Sequence, residues 1–130
     1  MHTSDLPTVL LRHVLPDGSS HFDWMFVPDA SPASTLVTFR VDQPIHHPEV
    51  DLFDAEMIGR HRREYLTFQG PIPGNRGSVQ RVVSGLIRID ELTDACIRVR
   101  VDWPAGARFW IGTPLAGNIW RFVVDPISGR

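Results

Sequence analysis

The run Cys96-Ile97-Arg98-Val99-Arg100-Val101-Asp102-Trp103 alternates apolar and charged side chains from Ile97 to its end. A period of two is that of a β-strand, whose successive side chains point to opposite faces. Ile97, Val99, Val101 and Trp103 are therefore expected on a core, with Arg98, Arg100 and Asp102 facing away from it. Working outward, residues 8–15, 21–27, 35–41, 65–69, 78–83, 86–89, 108–112 and 118–124 read as further short strands rich in β-branched and aromatic residues. The 11 prolines and 10 glycines punctuate the chain between them and disfavour a helical bundle. Pro16-Asp17-Gly18-Ser19-Ser20 joins the first two strands as a hairpin, and residues 70–77 form a rigid turn. Residues 42–63 hold two prolines and a cluster of acids. They read as a long excursion between strands 3 and 4, with one helical turn near 54–58.

Eight or nine short strands between turn residues predict an all-β, antiparallel barrel or sandwich. A small closed or partly closed barrel of about eight strands is preferred, because closure removes the exposed edges that so many strands would present. The 130 residues, with no repeat or linker, make one domain over 1–130.

Composition narrows the function classes. The net charge of −2 predicts no strong field toward nucleic acid or membrane. All 13 basic residues are arginine, which reads as codon bias or as a supply of planar, bidentate phosphate contacts. The single cysteine, Cys96, allows no internal disulfide or cysteine zinc cluster and reads as a small buried strand thiol. Residues 1–8 lack a secretory signal pattern, and no apolar run approaches the ~20 residues of a spanning helix. A cytoplasmic monomer with no membrane association is the expectation.

Chemistry concentrates in the second strand. His21, Asp23 and Met25 share one face, while Phe22, Trp24 and Phe26 share the other, which wants burial. His21 and Asp23 are thus side by side, Cα atoms roughly 6.5–7 Å apart. If the first two strands pair, His13 arrives from the neighbouring strand to complete a set of three. Imidazole and carboxylate without thiolate suit a first-row divalent ion with open positions. Manganese is compatible, and so is zinc. His46-His47-Pro48-Glu49 is a weaker metal pattern, because adjacent residues of an extended segment point to opposite sides.

Three blocks carry a family resemblance. Leu11-Arg12-His13, a turn, and His21-Phe22-Asp23-Trp24-Met25 resemble the His…His-Tyr-Asp segment of the 3′-phosphoesterase domain of bacterial DNA ligase D. His61-Arg62-Arg63-Glu64-Tyr65 is similar to that family's Asp-His-Pro…Tyr segment. The stretch from Phe68-Gln69-Gly70-Pro71-Ile72-Pro73 to Gly77-Ser78-Val79 resembles its Phe-Glu-Gly-x-Ile-Pro…Gly-x-Val stretch. The resemblance implies a barrel holding manganese at His13, His21 and Asp23, with His61 and Tyr65 at the substrate phosphate. It further implies removal of a 3′-phosphate or 3′-terminal ribonucleotide from a nucleic-acid end, in DNA repair alongside a ligase or polymerase.

The sequence departs from the family at several points. Met25 stands where the family has an arginine, Gly59 where it often has an acid, and the turn between His13 and His21 is two residues longer. The charged residues that the family carries ahead of its first strand have no clear counterpart. Arg62, Arg63 and Arg76 flank the implied phosphate position and are candidates to compensate. They read equally as solvated or turn-holding charges, and Tyr65 equally as a core residue. Trp103, Trp110 and Trp120 read as barrel core, with base stacking as the alternative. Two other functions stay open: a catalytically inactive metal- or DNA-end-binding module of the same fold, and a small barrel for an anionic metabolite.

Overall fold

The computed structural model describes residues 5–126; the first four residues of the segment read for a secretory signal lie outside that range. Nine strands follow in order: β1 Leu6–Val14, β2 Ser20–Phe26, β3 Leu36–Val41, β4 Leu52–His61, β5 Gly70–Pro71, β6 Ser78–Leu92, β7 Ile97–Trp103, β8 Gly106–Ala116 and β9 Ile119–Val124. All pairings are antiparallel. Eight strands run β1-β2-β3-β4-β9-β8-β7-β6, and β6 returns to pair with β1, so the sheet closes into a barrel; β5 is an extra strand on β6. Closure leaves the ring without a free edge.

The alternation at Ile97–Trp103 appears as expected, with Ile97, Val99, Val101 and Trp103 all buried in the core. The same period places Trp24, Phe26, Phe39, Phe53 and Phe122 inside the barrel, where Trp24 meets Phe122 edge-on at 5.4 Å and Phe53 stacks on Phe122 at 5.0 Å. Such aromatic pairs add about 0.5–1.5 kcal/mol each beyond their buried area. All four tryptophans are buried in this core, so none is a free stacking platform.

A second, smaller cluster lies on the outer wall. Val9, Leu11, Met25 and Val27 turn away from the lumen and are covered by Ile72, Tyr65, Leu66 and Phe68. The segment after β4 thus folds back over β1 and β2 as an outer layer.

Four sequence readings are corrected. Residues 52–61 are a strand, not part of a long excursion with a helical turn at 54–58. Phe53 and Ala55 point inward, while the acids Asp54 and Glu56 occupy the outer face against Arg121 and Asn118. The β3–β4 loop shrinks to 42–51, anchored by Ile45 in the core and by Arg108, which donates to the carbonyls of Pro48 and Val50. Residues 65–69 are not a strand: Arg63–Leu66 is a 3-10 helix, because Tyr65, Leu66 and Phe68 all pack onto the outer cluster and cannot alternate. The two segments 78–83 and 86–89 are one 15-residue strand, bent where register slips between Leu10 and Leu11 of its partner and again between Ile89 and Glu91. Cys96 precedes β7 and is half-buried, since Thr93 draws its backbone into a turn.

Candidate metal centre

The β1–β2 register sets His13 directly opposite His21 and Leu11 opposite Asp23. The pleat then places both imidazoles and the Asp23 carboxylate on the outer face, away from Phe22 and Trp24. His21 Nε2 lies 3.2 Å from Asp23 Oδ1, and His13 Nδ1 lies 3.7 Å from Asp23 Oδ2. One ligating atom from each of the three falls within 4.8 Å of the others, a grouping not repeated among the described residues.

Two observations fit this set to a cation. His21 Nε2 and Asp23 Oδ1 are both buried, lie 3.2 Å apart and have no well-aligned hydrogen bond to any other group, which leaves their polar atoms to each other or to a ligand between them. Ligand atoms about 2.1 Å from one ion lie about 3–3.4 Å apart; the 3.2 Å between His21 and Asp23 matches, while His13 at 3.7 Å and the 4.8 Å span of the set mean that the imidazoles draw inward on binding. In addition, His13 Nε2 lies 2.8 Å from the Arg76 carbonyl. A carbonyl only accepts, so Nε2–H donates to it, and in the neutral ring the lone pair is left at Nδ1, facing Asp23. A bond of this kind to the far ring nitrogen fixes the tautomer a metal ligand needs.

Electrostatics point the same way. Burial lowers His21 to about 4, helped by the nearby charges of Arg40 and His13 and opposed by Glu56, so its imidazole is neutral at pH 7. Burial raises Asp23, only 3% exposed, to about 6, against the lowering effects of His13 and Arg40. A carboxylate kept this dry is a poor resident without a positive partner.

The three residues separate two depressions. His13 and Asp23 open into a cleft of about 280 Å³ that also takes in Met25, Arg60, His61, Arg62, Tyr65 and Arg76. His21 borders a shallower depression with Arg40, Asp54 and Glu56. His61, at the end of β4, has Nδ1 2.9 Å from the Gly59 carbonyl, so Nδ1 bears the proton and Nε2 the lone pair. Burial lowers the His61 pKa; its bond to Gly59 opposes this, and His13 and Arg76 add to it. Its ring meets Tyr65 edge-on at 5.5 Å, and Tyr65 meets Phe68 at 5.7 Å. Tyr65 is thus both cleft wall and packing residue.

The arginines divide. Arg76 lines the cleft and donates Nε to the Pro73 carbonyl at 2.8 Å, while Arg62 lines it and pairs with Glu64 at 3.1 Å. Arg63 does not line the cleft; its guanidinium reaches the Ser34 carbonyl at 3.4 Å. His47 lies 3.9 Å from Glu49 in the β3–β4 loop. Two residues escaped the sequence reading. Arg40 stands opposite Asp23 in the β2–β3 ladder, and the outward phase of residues 35–41 was the available signal. Arg60 sits where the β3–β4 register slips between Leu36 and Thr38, so that Gly59 and Arg60 together stand opposite the single residue Val37; no local pattern announces such a bulge.

No protein-family model matches the chain, and no curated protein matches it in sequence.

Proposed function

We propose that this protein is a metal-dependent phosphoesterase-like domain acting on nucleic-acid 3′ ends, removing a 3′-phosphate or a 3′-terminal ribonucleotide in DNA repair. The observation that carries the reading is the half-buried cluster of His13, His21 and Asp23 beside a cleft holding His61, Tyr65 and three arginines. The three-block resemblance to the DNA ligase D phosphoesterase domain supplies the substrate class.

His13, His21 and Asp23 would hold a divalent cation, manganese by the resemblance, with zinc equally compatible with the ligand types. Such an ion supplies Lewis acidity, polarising a phosphoryl oxygen and making water more acidic. The remaining work belongs to the chain. Arg76 and Arg62 offset the charge that builds on the phosphoryl oxygens. The Tyr65 hydroxyl donates to one of them. His61, with Nδ1–H tied to Gly59, offers Nε2 as the atom that takes a proton and returns it to the departing 3′ oxygen. Water adds to phosphorus and the bond to the 3′ oxygen breaks, leaving a 3′-hydroxyl together with inorganic phosphate from a 3′-phosphate or a nucleoside 5′-monophosphate from a terminal ribonucleotide.

A second reading is favoured by one residue. Met25, 1% exposed, lines the cleft where the resembled family carries an arginine, which suits a metal- or DNA-end-binding module without turnover. The deciding experiment incubates purified protein and manganese with primers ending in a 3′-phosphate or a single ribonucleotide. Product formation above an Asp23→Ala control is expected; end binding with no product assigns the module.

A further inference from the structure

The cleft does not stop at Arg60. On the other side of this residue a groove of about 470 Å³ runs between the end of β4 and the turn after β6, with Arg60 lining both. Val37 and Thr38 lie in the groove beside Met57 and Leu92, with Asp94 on the β6–β7 turn. Its size lies within the roughly 300–1,000 Å³ that holds small-molecule-sized groups. The register slip at Gly59 and Arg60 opens this passage, because two residues of β4 stand opposite one of β3. The Arg60 charge is also differently placed from its neighbours'. Arg62 and Arg121 are taken up by Glu64 and Asp54 at 3.1 and 2.8 Å, whereas Arg60 hydrogen-bonds the neutral Thr35 carbonyl at 3.2 Å and feels the Asp29 carboxylate without a direct ion pair.

We propose that the cleft is one end of a longer track. A single polynucleotide strand whose 3′ end occupies the cleft passes its next phosphate over Arg60 and lays the following sugar and base in the groove. This rests on reading the cleft as a nucleic-acid end site, and adds that the ligand is an extended strand and not a mononucleotide. A guanidinium on the ridge matches a bridging phosphate. A partly apolar groove with one acid at its far side matches a sugar and base, which carry no charge.

The test is fluorescence-anisotropy binding of full-length protein to 3′-phosphorylated DNA of one, two and four nucleotides, in EDTA so that no turnover intervenes, across a salt series. In the wild type the dinucleotide binds on the order of fivefold tighter than the mononucleotide. In Arg60→Gln that ratio falls toward one and the log–log salt slope for the longer strands drops by about 0.7, the loss of one single-strand phosphate contact. Leu92→Glu, at an exposed position, lowers the same ratio through the groove. Thermal midpoints matching the wild type establish that both variants fold. Equal affinity for one and two nucleotides, or a ratio that Arg60→Gln leaves unchanged, overturns the track. Turnover with manganese is scored separately: its absence with the length dependence intact removes only the hydrolytic reading.

Discussion

His13 and His21 face each other across the β1–β2 ladder, their rings edge-to-face with centroids 4.9 Å apart, and both reach toward the same buried carboxylate, Asp23. The charge that makes this group attractive to a cation makes it costly without one. Asp23→Asn should therefore separate the two effects. An amide removes the buried charge, whose displacement to about 6 from 3.8 corresponds to about 2–3 kcal/mol at neutral pH. In EDTA the variant is expected to melt at or above the wild-type temperature. The several-degree rise that manganese gives the wild type, by binding only the folded state, is expected to vanish. A wild type whose melting ignores manganese, zinc and other divalent ions would sink the metal centre.

The same two groups set opposite pH slopes. Asp23 is raised in the folded chain, so its contribution to stability is complete below its unfolded value of 3.8 and is lost as pH rises through about 6. His21 is lowered, so its contribution is complete above 6.5 and is lost as pH falls through about 4. Between about pH 4 and 6 the two slopes oppose, and the metal-free protein should show little net pH dependence from this pair. Metal affinity behaves otherwise, because the ligand must be the carboxylate. Asp23 alone should weaken manganese binding about tenfold at pH 5 relative to pH 7, read by calorimetric titration. An affinity unchanged over that interval would contradict the burial of this carboxyl.

What was legible in the sequence was local. The alternation from Ile97 to Trp103, and the face shared by His21 and Asp23, need only the strand period, and the structure reproduces both. Pairing across a short turn then brings in His13. Residues 52–61 failed because the acids that suggested a loop find their partners far along the chain: Asp54 pairs with Arg121, 67 positions away, and Glu56 accepts from Asn118, 62 away. Arg40 and Arg60 depend on register and on a bulge, and neither is set within a strand's own sequence. Arg63 failed differently. Three consecutive residues, Arg62, Arg63 and Glu64, enter a 3-10 turn, and such a turn points neighbours in different directions.

Gly77 ties the outer layer to β1. Its φ is +89°, and a Cβ there would meet the Val14 carbonyl oxygen at 2.0 Å, a backbone atom that cannot step aside. Its neighbour Arg76 provides the carbonyl that holds His13. Gly77→Ala should cost about 2–4 kcal/mol of stability in chemical denaturation. It should also weaken manganese binding about tenfold, the scale of losing a hydrogen bond that orients a metal ligand. If stability falls and metal affinity stays at the wild-type value, the Arg76 carbonyl does not set the His13 tautomer.

His61 and Tyr65 offer the sharpest separation between holding the ion and using it. Neither belongs to the ligand set, yet both line the same cleft as Asp23. His61→Ala removes the Nε2 lone pair while leaving His13, His21 and Asp23 intact, and Tyr65→Phe keeps the ring that packs on Phe68. On the proposed reaction, His61→Ala should lower kcat on a 3′-phosphorylated primer by about 10²–10⁴. Tyr65→Phe, which loses one neutral donor, should lower it by about tenfold. In both, the manganese-dependent rise in melting temperature should match that of the wild type. Turnover undiminished in His61→Ala would exclude the imidazole from proton transfer, and loss of the manganese-dependent rise would make His61 a support of the metal centre itself.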